Sequence, residues 1–212
     1  RDSSLLLIDL GHGKDRLGGS VYSQVTQRFD SVTPDMEDPK ELKKFLELIR
    51  SLSAKGAILA YHDRSDGGLA AALCEMMFAS HVGVEIVADA LVSKDRTLNQ
   101  ALFNEELGAV IQVARGRAAE VERDFEAAGM GWSLKYLGNL TQDDHLNIYL
   151  EGKCVLSEDR VDLQKAWNEV SWQIARMRDN PECADSEYEL ISDKHNGGLV
   201  LTMGFDPEEN LA

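Results

Sequence analysis

Apolar and polar positions along this chain follow two different periods, and the changes of period mark its elements. Ser4 to Leu10 is an apolar run broken only by Asp9, and it predicts a strand. Ala57–Tyr61, Val84–Val87, Ala109–Val113, Leu134–Leu140, Leu146–Leu150 and Cys154–Leu156 are similar short runs bounded by turn residues, and they also predict strands. Helical spacing predicts a short helix over Val21–Gln27 and a longer one over Pro39–Ala54. The longer helix carries Leu42, Phe45, Leu46, Ile49 and Leu52 on one face and stops at Gly56. Further helices are expected over Leu69–Ser80, Thr97–Phe103 and Arg117–Ala128, the last with Ala118, Val121 and Phe125 inward. The final helix, Val161–Arg178, carries Leu163, Trp167, Val170, Ile174 and Met177 as its expected buried stripe. From Asn180 onward, Pro181, Gly197-Gly198, Pro207 and many acids break any period. The reading is therefore a domain over 1–179 and a linker or extended arm over 180–212. Hairpin-like strand pairs without strict β-α-β alternation point to an α+β fold, a mixed sheet covered by helices.

The chain has 212 residues, 43% of them hydrophobic, enough for one large domain or a domain with a tail. The net charge of -15 and a pI near 4.7 argue against nonspecific binding to nucleic acid or to an anionic membrane surface. A local site for a phosphorylated small molecule is compatible with that charge. No run reaches transmembrane length and no signal peptide is legible. Cys74, Cys154 and Cys183 form no Cys-x-x-Cys pair, as expected of a reduced, cytosolic chain. A strand begins almost at once after Arg1, so the chain reads as part of something longer.

Candidate chemistry concentrates in His62-Asp63-Arg64-Ser65-Asp66-Gly67-Gly68, a tight turn from a strand into a helix. Helix starts offer free N–H groups and a positive dipole end, and glycine lets backbone approach a ligand closely. Asp63 is the candidate Mg²⁺ ligand and Ser65 the candidate phosphate contact. Asp66 could instead cap the helix, with Gly67 and Gly68 serving only its geometry. Among the histidines, only His62 earns interest, through its position. Two further stretches stay open. Glu105 and Glu106 could bind metal or do acid–base work, or could form a solvated helix end. Gly18-Gly19-Ser20 could cradle phosphate or simply be a turn with a serine cap.

Taken together, residues 59–69, Phe103-Asn104-Glu105-Glu106-Leu107-Gly108 and Asp179-Asn180-Pro181-Glu182-Cys183 resemble the phosphoribosylformylglycinamidine synthases in their large single-chain bacterial form. The opening Ile8-Asp9-Leu10-Gly11 and Leu17-Gly18-Gly19-Ser20 fit as well. The resemblance implies an AIR synthase C-terminal-like domain, distantly ferredoxin-like, from the second half of such an enzyme. The family converts formylglycinamide ribonucleotide, glutamine and ATP to the amidine, in de novo purine synthesis. It implies Asp63 at a Mg²⁺ position and Ser65 at an ATP/ADP contact of an auxiliary nucleotide site. It places no catalytic residue in this chain. The expected partners are a companion N-terminal domain holding the other metal ligands and a glutaminase domain whose nucleophile none of the three cysteines matches. The competing reading is an interaction module without any ligand site.

Overall fold

The computed structural model describes residues 2–28, 30 and 32–194. The chain divides into two units, 1–163 and 164–212. The first is built on one seven-stranded mixed sheet. Its strands are β1 (Ser3–Asp9), β2 (Ile58–Asp63), β3 (Gly83–Val87), β4 (Gly108–Ala114), β5 (Leu134–Thr141), β6 (His145–Leu150) and β7 (Lys153–Asp159). Their spatial order is β2-β4-β1-β5-β3-β6-β7, and only β3 and β6 run parallel. The α+β expectation holds, and every strand read from the sequence is present.

All seven residues of β1 are buried, because the sheet is covered on both faces at this point. Leu5 and Leu7 pack with Leu69, Leu73 and Met77 of α3 (Gly68–Ser80) and with Ala101 and Leu102 of α4 (Leu98–Phe103). Leu6 and Ile8 point the other way, toward Phe45 and Leu52 of α2 (Pro39–Ala54) and Val121 and Phe125 of α5 (Ala118–Ala127). Burying each such side chain contributes roughly 2 kcal/mol. The helices start as their sequences ask. Asp38 accepts the Lys40 N–H at 2.9 Å ahead of Pro39, and Ser20 caps the short α1 (Val21–Thr26) by accepting from Ser23. His81 ends α3 in the left-handed conformation. Of the apolar face expected on α2, Leu46 is exposed.

Two expectations for the C-terminal part are corrected. The extended arm gives way to a helix, α7 (Pro181–Leu190), capped by Asn180 with Pro181 in its first turn. The expected stripe of α6 (Arg160–Arg178) is not buried beyond Leu163: Val170 is 70% exposed and Met177 81%. The reason is that α7 takes the other side of α6. Trp172 stacks on Tyr188 with ring centroids 4.3 Å apart, and its indole N–H donates to Asp185 at 2.9 Å. The Tyr188 hydroxyl donates to the Lys165 carbonyl, and Arg176 pairs with Asp185 at 2.6 Å. An aromatic stack edged by ion pairs replaces an aliphatic seam. The rest of the expected arm, 195–212, lies outside the described residues.

Close approach of β5 to β3 requires a glycine at 138, since an added methyl would land on the Glu85 backbone carbonyl. Gly138→Ala is expected to cost about 2 kcal/mol or more. Gly116→Ala, where nothing lies within 4 Å of the added carbon, should fall within about 0.5 kcal/mol of wild type. Urea unfolding midpoints of the two variants decide it.

Candidate functional site

β1 and β2 run in the same direction, each antiparallel to β4 between them, so Asp9 and Asp63 arrive at the same end of the sheet. The turn after β2 splits its side chains. Arg64 points inward and its side chain is fully buried, while Asp63, Ser65 and Asp66 are exposed. Among the described residues, these three outward side chains make no hydrogen bond or ion pair. Burial, and then the charge of Asp63, raise the pKa of the Tyr61 hydroxyl above its ordinary value, so the Asp63 charge is felt along the strand.

Inward, Arg64 ties the turn to the loop before β4. Its Nε donates to the Glu106 carbonyl at 2.7 Å and its Nη2 to the Leu107 carbonyl at 3.1 Å. The same Nη2 meets Asp9 Oδ1 at 2.8 Å. Asp9 also accepts the Gly11 N–H at 3.0 Å and Lys135 Nζ at 3.1 Å. Burial alone would raise the Asp9 pKa. The Arg64 charge and hydrogen bond, the Lys135 charge and the Gly11 N–H outweigh it and hold the carboxyl well below the usual range. Arg64 Nη1 is buried without a partner among the described residues.

Two more ion pairs close this end of the sheet. Glu106, 1% exposed, takes a bidentate pair from Arg16, with Nε at 2.6 Å and Nη2 at 2.7 Å. Asp15 is held by Arg96 through both carboxylate oxygens and by Asn104 Nδ2 at 2.9 Å. Glu106 is therefore neither a solvated helix end nor a free acid–base group. Glu105 is also engaged: its Oε1 accepts the Gly67 N–H that opens α3 at 2.9 Å and the Val21 N–H that opens α1 at 2.9 Å. Asp66 does not cap α3, whose cap residue is Gly67. Gly68 sits at φ +67°, and an added methyl would meet the Asn104 carbonyl at 2.6 Å. His62 Nε2 faces Glu75 of α3 at 3.0 Å and its Nδ1 contacts the Asp63 carbonyl at 2.7 Å, a framework role.

Asp9, His12, Gly13, Trp132 and Lys135 line a cavity of about 450 Å³ beside this network, with the His12 ring stacked on Trp132 at 4.0 Å. Sequence reasoning passed over Asp9, Arg16, Arg64, Arg96 and Lys135. One signal was available: Asp9 directly follows four consecutive apolar residues, Leu5 to Ile8, in the same strand. Among the described residues, no group of three or more His, Cys, Asp and Glu side chains is placed to hold a metal ion. The donors of this chain do not by themselves fit a Mg²⁺ site, which needs a near-complete oxygen shell. No described helix is long and apolar enough to cross a membrane. The three cysteines are free.

A mixed central sheet with helices on both faces, its strand ends closed by a glycine turn and buried ion pairs, makes this an α+β domain with a polar site at one end of the sheet. The family model for the AIR synthase related protein C-terminal domain matches residues 3–151, and the chain belongs to that family. Among solved structures, PurL of Thermotoga maritima complexed with ATP superposes with a TM-score of 0.58 at 12% identity, over 75% of this chain and 25% of that one. The same protein complexed with FGAR gives 0.58 at 15% identity, over 76% and 28%. A HypE–HypF complex gives 0.51 at 18%, over 74% and 52%. These likenesses establish the fold. The chain spans about a quarter of the length of the PurL chains it matches.

An Asp9 carboxyl held below its unfolded value contributes stability that is fully present above about pH 4 and is lost as pH falls toward the folded value. The stability gap between wild type and Asp9→Asn should be widest near pH 6 and narrow progressively below about pH 4. Thermal unfolding of both proteins across that range tests it. Arg64→Ala leaves the buried Asp9 with Lys135 and the Gly11 N–H but without its closest cation, and should cost about 3 kcal/mol at neutral pH.

Proposed function

We propose that this chain is the C-terminal domain of the second AIR synthase-like half of a phosphoribosylformylglycinamidine synthase. That ATP-dependent ligase takes glutamine-derived nitrogen into formylglycinamide ribonucleotide, in the cytoplasm. The chain supplies no catalytic residue. It contributes one wall of an auxiliary Mg²⁺–nucleotide site, with Asp63 giving one oxygen to the metal and Ser65 contacting phosphate. The remaining ligands come from a companion domain, and a glutaminase domain supplies the nitrogen.

The observation that carries this reading is the division of the His62–Gly68 turn. Its arginine and glycines are fixed to the 104–108 loop, while Asp63 and Ser65 project outward without partners among the described residues. Every fully buried acid nearby is already neutralised by a cation, so these outward groups are the ones free to take a ligand. Family membership and the complexes of the fold relative PurL with ATP, ADP and FGAR favour the nucleotide and purine assignment. The alternative, a docking module without a ligand site, has one feature in its favour: the exposed apolar row of Val170, Ile174 and Met177.

The two readings separate on Asp63→Asn in the full-length enzyme. Nucleotide retained through purification is measured after denaturing extraction, and Mg-ADP binding by calorimetry. The proposal expects bound ADP to be lost, with affinity down about tenfold or more. Unchanged nucleotide content would favour the docking module.

A further inference from the structure

We infer that Glu105 is the positioning residue that sets the His62–Gly68 turn against the Gly18–Ser20 turn, through a single carboxylate oxygen. The inference rests on the nucleotide-wall reading for its functional consequence and on hydrogen-bond geometry for its structural one.

A helix start leaves several N–H groups without intrahelical partners, and the cap side chain normally takes one of them. α3 has no such side chain, because its cap residue is Gly67. The acceptor arrives instead from Glu105, 38 residues further along, whose Oε1 lies 2.9 Å from the Gly67 nitrogen. At α1 the Ser20 hydroxyl accepts the Ser23 N–H, and the Val21 N–H goes to the same Glu105 oxygen at 2.9 Å. One oxygen therefore accepts from the starts of two helices whose glycine turns are far apart in sequence. A negative group also suits the positive end of each helix.

The loop that carries Glu105 is held in place by its surroundings. Gly68 packs against the backbone of residues 102–104, where even a methyl would collide. Arg64, in the middle of the turn, donates to the Glu106 and Leu107 carbonyls directly after Glu105. The turn bearing Asp63 and Ser65 thus rests on the 104–108 loop, and Glu105 extends that support to the second glycine turn. Losing the carboxylate would free two helix starts at once and let Ser65 shift relative to Ser20. Glutamine keeps an acceptor oxygen in the same place, so it should substitute where alanine cannot.

The test uses full-length enzyme carrying Glu105→Ala, Glu105→Gln or Asp63→Asn. Calorimetric titration with Mg-ADP is combined with amide hydrogen exchange at Gly67 and Val21, and at Ile148 in β6 as a distant reference. The expected result for Glu105→Ala is Mg-ADP affinity down about tenfold and faster exchange at both Gly67 and Val21, with Ile148 unchanged. Glu105→Gln should recover most of both. Glu105→Ala binding Mg-ADP as wild type does, or losing protection at only one of the two amides, overturns the inference. So does a change at Ile148 as large as at Gly67, which marks general unfolding. If Asp63→Asn keeps its nucleotide, or wild type binds no Mg-ADP, the nucleotide-wall reading fails instead. The paired exchange at Gly67 and Val21 then decides the role of Glu105 alone.

Discussion

The end of the sheet depends on burying the Arg64 guanidinium beside the Asp9 carboxylate. Removing two charges from water is costly unless each is met by an opposite charge and by hydrogen bonds. Here Asp9 accepts from two cations and a backbone N–H, and Arg64 donates to two carbonyls and a carboxylate. Those partners come from β1, β5, the turn after β2 and the loop before β4. Both charges have all of these partners only when the four segments are in place. Apolar burial along β1 would tolerate a range of arrangements at the strand ends, and the buried charges do not.

This arrangement separates support from presentation. Arg64 and the glycines of the turn face the protein and are consumed by it. Asp63 before Arg64, and Ser65 and Asp66 after it, face outward. A similar division runs through Glu105 and Glu106: one carboxylate serves helix starts, the other is locked to Arg16. Groups that look equivalent in a string of acids and hydroxyls are sorted by the side of the backbone from which they emerge.

Much of the fold was legible because its elements announce themselves by period and by punctuation. Asp38-Pro39 opens α2 and Gly129 follows α5, and the strand runs are short and bounded by turns. The charged network was not legible, because it joins residues far apart in sequence: Asp9 with Arg64 and Lys135, Arg16 with Glu106, Asp15 with Arg96. No local pattern shows which acid will meet which base. The C-terminal error has a different origin. Pro181 breaks the period of α6, yet Asn-Pro-Glu is equally a helix start, with a capping side chain followed by proline in the first turn. Missing that helix also inverted the expected burial of α6.

The position of β1 has a consequence for the order of events in folding. It lies between β4 and β5 and pairs with residues 108–114 and 134–139. During synthesis it leaves the ribosome well before either partner exists, carrying Leu5, Leu6, Leu7 and Ile8 uncovered on both faces. The β6–β7 hairpin, by contrast, can close as soon as its short turn is made. Among the strands of this sheet, β1 waits across the longest stretch of sequence for its partners, which slows folding and leaves an adhesive segment exposed in the interval.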